Sequence, residues 1–169
     1  MRRTRRTLNG FTVVELLVVV AVIGIISASL IALSVRSYRD AQLRDGAVQL
    51  MTELRQARAA AQRSNQSSTV TLTSTSSTVP KGTYTVQVGG AATATTRSLP
   101  ANVQAAPYKP ASTSQYPNSA VYTAPYAEMG GAGAVTGVIW EVSSTQSSRR
   151  WYIKTVGVTG KVMLSAQAN

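Results

Sequence analysis

The sequence contains no cysteine and no histidine, and only six of its 169 residues are acidic. Without cysteine there are no disulfides, no thiolate zinc ligands and no Cys-His chemistry, so any folded domain must be held by its core alone. Without histidine the Ser-His-Asp arrangement is excluded as well. The six acids, Glu15, Asp40, Asp45, Glu53, Glu128 and Glu141, stand singly along the chain. That spacing offers neither a carboxylate pair for acid–base work nor an oxygen-rich calcium site. The expectation is a protein that is not an enzyme, with no cofactor and no metal. Against the six acids stand 17 lysines and arginines, a net charge of +11. Such a surplus suits nucleic acid, anionic lipid or an acidic partner, and charge alone does not choose among them.

Charge is also missing locally. Residues 16–35 carry no charged side chain over 20 positions. At about 1.5 Å per residue a helix of that length covers about 30 Å, the hydrocarbon thickness of a bilayer. Four arginines, Arg2, Arg3, Arg5 and Arg6, precede it, and basic residues ahead of an apolar helix hold that end in the cytoplasm. A secretory signal peptide has a shorter apolar core, with a small-residue cleavage site after it. Here a glycine, Gly10, comes before the run, and one acid, Glu15, sits at its head. A carboxylate there is costly unless it finds a partner.

Residues Gly10-Phe11-Thr12-Val13-Val14-Glu15-Leu16-Leu17-Val18-Val19 resemble the cleavage and assembly segment of type IV pilins and type II secretion pseudopilins. The resemblance covers residues 5 to about 35. It implies that a membrane peptidase cuts between Gly10 and Phe11, that the new amine on Phe11 is methylated, and that Glu15 pairs with the free amine of a neighbouring subunit. It also implies partners: other pilin or pseudopilin subunits, the prepilin peptidase/methyltransferase and an inner-membrane assembly platform. The expected location is the bacterial inner membrane, single-pass with a cytoplasmic N-terminus, followed by a cell-surface or periplasmic filament. Cutting at Gly10 removes four arginines and leaves the mature chain at +7.

Beyond the apolar run, residues 36–63 contain no proline and one glycine, Gly46, a weak point where the helix could bend. Leu43, Ala47, Leu50, Leu54, Ala57 and Ala61 recur three or four apart, one helical stripe, while Arg44, Arg55, Arg58 and Gln62 fall mostly away from it. A helix from Phe11 to about Arg63 is expected, its second half packed on a sheet. Alternating segments then predict strands at Val70 and Leu72, at Tyr84, Val86 and Val88, at Val138, Trp140 and Val142, at 149–156 and at 161–164. Residues 91–134, rich in proline, tyrosine and small residues, read as a long loop with one short strand near Val121 and Tyr122. That loop suits either a subunit contact or a variable surface. The organisation expected is thus a leader at 1–10, a transmembrane and assembly helix at 11–35, its continuation at 36–63 and a β-rich domain at 64–169. This is a pilin-like α+β fold, a long N-terminal helix laid on an antiparallel sheet.

Residues 50–72 also resemble the helix-to-first-strand segment of the general secretion pathway protein H and FimT group of minor pilins and pseudopilins. Thr159-Gly160-Lys161-Val162 fits that group's late glycine, basic residue and valine, with Lys161 where arginine is common. Two departures from many major pilins, Ala32 where they have a proline and the absent cysteines, fit a minor subunit. The resemblance implies a structural subunit at or near the tip of a type IV pilus or secretion pseudopilus. Some members of the FimT branch bind DNA through basic residues near the C-terminus. Here Arg149, Arg150, Lys154 and Lys161 lie in that region with Tyr152, and no acid follows Glu141. Basic groups hold phosphates and an aromatic ring stacks on bases. The alternative is a solvated strand face made basic against edge-to-edge pairing.

Overall fold

The computed structural model describes residues 12–75, 77–78, 81–111, 114–129, 137–157 and 159–168, with the side chains of 29–33 left aside. The chain forms two compact units, Met1–Ser37 and Tyr38–Asn169, and one helix, α1 (Val13–Ser64), contributes to both. The helix stops for a local reason. Asn65 takes a left-handed φ of 52°, the conformation that ends many helices and that asparagine tolerates. One turn back, the Ser64 hydroxyl donates to the Ala60 carbonyl at 2.8 Å.

The second unit holds nine strands among its described residues: β1 (Ser68–Leu72), β2 (Thr83–Gln87), β3 (Thr95–Ser98), β4 (Val103–Pro107), β5 (Ser119–Thr123), β6 (Glu128–Met129), β7 (Gly137–Ser144), β8 (Ser147–Val156) and β9 (Lys161–Ser165). They form two antiparallel sheets, ordered β3-β2-β1-β5-β6 and β4-β7-β8-β9. The two meet at an isolated bridge where Lys81 and Ala105 exchange backbone hydrogen bonds of 3.2 and 2.8 Å.

The core lies where α1 meets both sheets. Leu43, Ala47, Leu50, Leu54, Ala57 and Ala61 are all fully buried, and they join Val70, Tyr84 and Tyr122 of one sheet and Val103, Trp140, Val142 and Ile153 of the other. Alanine at half of the stripe lets the helix sit low on the sheets, and the three leucines fill the space between; each buried leucine contributes about 1.5–3 kcal/mol. Trp140 and Tyr84 in this layer have paired polar groups. Trp140 Nε1–H donates to the Pro117 carbonyl at 2.9 Å, and Gln49 Nε2 donates to Tyr84 Oη and the Ser98 carbonyl, both at 3.0 Å. Burial raises the pKa of the Tyr84 phenol above its ordinary value, against the opposing hydrogen bond from Gln49.

Two expectations change. The strands divide into two sheets, not one, because β4 pairs with β7 across more than thirty residues of sequence, a pairing that local alternation does not encode. Residues 91–134 are not one long loop. They hold β3, β4, β5 and β6, of which only β5 coincides with the strand expected at Val121 and Tyr122. Their signal is weak because Ala105, Ala106, Thr95 and Thr96 carry little apolar contrast and Pro107 reads as a strand breaker. Pro107 is tolerated because β4 is an edge strand. The expected long helix is found, and α1 runs on through Gly46. A Cβ added there would lie 2.7 Å from Val103 Cγ1 and 3.3 Å from Pro100 Cδ, so the glycine permits a close approach of helix to chain.

Candidate functional site

The helix begins at a reciprocal cap. Thr12 stands just before the first helical residue, Val13, and Glu15 is third in the helix. The Glu15 backbone N–H donates to Thr12 Oγ1 at 3.2 Å, and the Thr12 N–H and hydroxyl donate to Glu15 Oε2, each at 3.4 Å. This is the capping box, in which Thr and Glu three residues apart satisfy each other's free donors. The carboxylate also lies at the positive end of the helix dipole. Gly10 and Phe11, the expected cleavage and methylation positions, lie outside the described residues.

Past the cap, Val14, Leu16, Leu17, Val18 and Val19 project round the whole circumference of the helix, and all are exposed within their own unit. A helix that is apolar all round needs an apolar surrounding from elsewhere. Among the described residues no helix is long and apolar enough to cross a membrane. The run expected to cross, 16–35, includes the five positions whose side chains are outside the described set.

The cationic residues expected near the C-terminus do not form one surface. Arg149 and Arg150 lie at the start of β8, beside the hairpin with β7. Arg149 pairs with Asp40 of the helix at 3.3 Å while keeping 72% of its side chain exposed. The same carboxylate accepts a 2.7 Å hydrogen bond from the Ser147 hydroxyl. Arg150 pairs with Glu141 at 2.8 Å, across the β7–β8 ladder. Tyr152 sets its ring edge-on to Tyr108, centroids 5.4 Å apart; burial, then Glu141, holds its phenol pKa above the ordinary value. Lys154 belongs to the buried set with its neighbours Ile153 and Thr155, so β8 is covered on both sides there and Lys154 does not share an exposed surface with Arg149 and Arg150. Lys161 is exposed and pairs with Val156 at the far end of β8. Six residues separate Val156 from Arg150, about 20 Å along a strand at about 3.3 Å per residue.

At that far end Lys161 has company that sequence reading did not single out. Arg55, Arg58, Ala59 and Gln62 of α1 and Lys161 and Val162 of β9 line an open cavity of about 350 Å³. The signal was available, since positions 55, 58, 59 and 62 are spaced three, one and three apart and share one face beside the core stripe. The tyrosines of 91–134 likewise divide. Tyr122 enters the core, Tyr108 packs on Tyr152, and Tyr126 is 75% exposed.

Comparisons with known proteins agree with both halves of this description. Residues 5–31 match the profile described as the prokaryotic N-terminal methylation motif. The fold is similar to the crystal structure of the type IV minor pilin FimU of Pseudomonas aeruginosa, with a TM-score of 0.54 and 12% identity over 75% of this chain and 90% of that one. No curated protein matches the chain. The resemblance to the pilin and pseudopilin superfamily is thereby met in motif and in fold, and the α+β architecture of a long helix on antiparallel strands is that of a pilin.

Proposed function

We propose that this chain is a minor pilin or pseudopilin, a structural subunit that enters a type IV pilus or type II secretion pseudopilus at or near its tip. One observation carries the reading. A methylation motif at 5–31 spans the start of a 52-residue helix whose later stripe is fully buried against two sheets while its early apolar side chains stand exposed. A folded body with an exposed apolar helix at its N-terminal side is what a filament subunit requires. The helix waits in the inner membrane as a single pass, N-terminus inside, and leaves it only for a bundle of like helices. The prepilin peptidase/methyltransferase cuts between Gly10 and Phe11 and methylates Phe11. Glu15 then receives the amine of a neighbouring subunit. The test is a Gly10→Val substitution expressed with the peptidase. An uncut chain that stays in the membrane and never reaches sheared filaments is expected, and normal processing would overturn the reading.

A second reading, DNA capture during uptake, is favoured by the exposure of Arg149 and Lys161 on a mature chain of net charge +7. Its contacts would be electrostatic and largely independent of base sequence. Binding of an oligonucleotide to the full chain, weakened by salt and by exchanging Arg149, Arg150 and Lys161 for glutamine, supports it; no binding at low salt rejects it.

A further inference from the structure

We propose that the cleft between α1 and β9 is a binding site for a compact phosphate group, free or carried as a phosphomonoester headgroup, held by Arg55, Arg58 and Lys161. Two guanidinium groups and one ammonium line a cavity of about 350 Å³ that has no carboxylate in its wall. That size lies at the small end of ligand pockets. The three ion pairs among the described residues use other cations, Arg97 with Glu53, Arg149 with Asp40 and Arg150 with Glu141. Arg55 spends one donor on the Val162 carbonyl at 3.4 Å. Arg58 Nε is buried without a hydrogen-bond partner among the described residues, and a buried donor left unmade is destabilising.

The chain also sets the backbone position of the third cationic residue. Gly160, at a left-handed φ of 60°, ends the turn before β9, and a Cβ there would lie 2.8 Å from Tyr122 Cε1 and 2.9 Å from Met129 Cγ. The glycine lets this turn close over the Tyr122 ring, and the next residue, Lys161, opens β9 across from Arg55 and Arg58. Three positive charges gathered without an acid repel one another until an anion enters. A planar carboxylate is satisfied by one guanidinium in a two-pronged pair, whereas a tetrahedral dianion presents an oxygen to each of three cations. The geometry therefore favours phosphate over an acidic side chain. This site does not depend on the filament reading.

The test uses the full chain in non-ionic detergent micelles, titrated with inorganic phosphate and followed by phosphorus NMR. Saturable binding is expected, weakened at least tenfold in Arg58→Gln and in Lys161→Gln and unchanged in Arg149→Gln. Lys161 is exposed on an edge strand, so its variant keeps the fold and keeps the test decisive if Arg58→Gln does not fold. Micelles doped with phosphatidic acid distinguish the sources: competition with phosphate assigns the site to a lipid headgroup, and its absence assigns it to the free ion. No saturable phosphate binding, or equal binding by Lys161→Gln, would overturn the proposal.

Discussion

Glu15 carries two roles that a single substitution confounds. Within one chain its carboxylate accepts from Thr12 and closes the capping box. In the proposed filament its charge meets a neighbour's amine. Glutamine also closes a capping box, so Glu15→Gln removes the charge and keeps the cap, while Glu15→Ala removes both. Losing the cap alone costs about 0.5–2 kcal/mol, local to the first turn. The expected outcome is that both variants are cleaved and membrane-bound and both are depleted from sheared filaments, measured as the filament fraction against the membrane pool. Depletion of Glu15→Ala with normal entry of Glu15→Gln would assign the acid to helix capping instead. The Thr-x-x-Glu spacing is itself a sequence signature of the cap, and it coincides with the residue that the resemblance assigns to pairing between subunits.

For the elements, legibility followed contrast. The helix stripe could be read because leucine and alanine recur against arginine and glutamine, and all six stripe residues are fully buried. β1, β2 and β7 could be read because threonine, glutamine or glutamate alternates with valine, tyrosine or tryptophan, and their burial alternates in step. β3 and β4 could not, since an exposed polar Thr-Thr-Arg-Ser edge and an alanine-rich strand ending in proline lack that contrast. Side-chain pairing was the least legible. Nothing near Arg149 in sequence announces Asp40, 109 residues away. Gly46 shows how a local rule gives way to packing. In an exposed helix, Gly→Ala stabilises by about 1 kcal/mol. Here the new methyl group meets Val103, a stiff β-branched side chain buried in β4, and overpacking costs about 1–3 kcal/mol. Gly46→Ala is therefore expected to lower stability by about 1 kcal/mol in denaturant unfolding, despite alanine's higher helix propensity. A gain would show that Val103 moves aside freely.

As a whole, the folded chain is set against alkaline pH. Tyr84, Tyr122 and Tyr152 all hold their protons above the ordinary tyrosine value, in each case chiefly because burial disfavours the phenolate. Tyr122 is the extreme case, fully buried, with an Oη that has no hydrogen-bond partner among the described residues; the nearby Arg58 charge only partly offsets the burial. An unfolded tyrosine releases its proton near pH 10. Above that pH the unfolded chain gains free energy from ionising that folded Tyr122 cannot. The stability tied to this proton is thus complete below about pH 10 and falls as pH rises, by up to about 1.4 kcal/mol per pH unit for one such group. Tyr122→Phe removes the titrating group and a buried hydroxyl left unpaired at once. Its stability at pH 7 is expected to equal or exceed that of the natural chain, since deleting an unpaired polar group is nearly neutral or stabilising. Between pH 10 and 11 its stability should decline less steeply. Trp140, fully buried where the sheets and helix meet, supplies the fluorescence readout for unfolding at each pH. A marked loss of stability at pH 7 would mean that the Tyr122 hydroxyl has a partner in solution, and identical alkaline slopes would place the titration on Tyr84 or Tyr152.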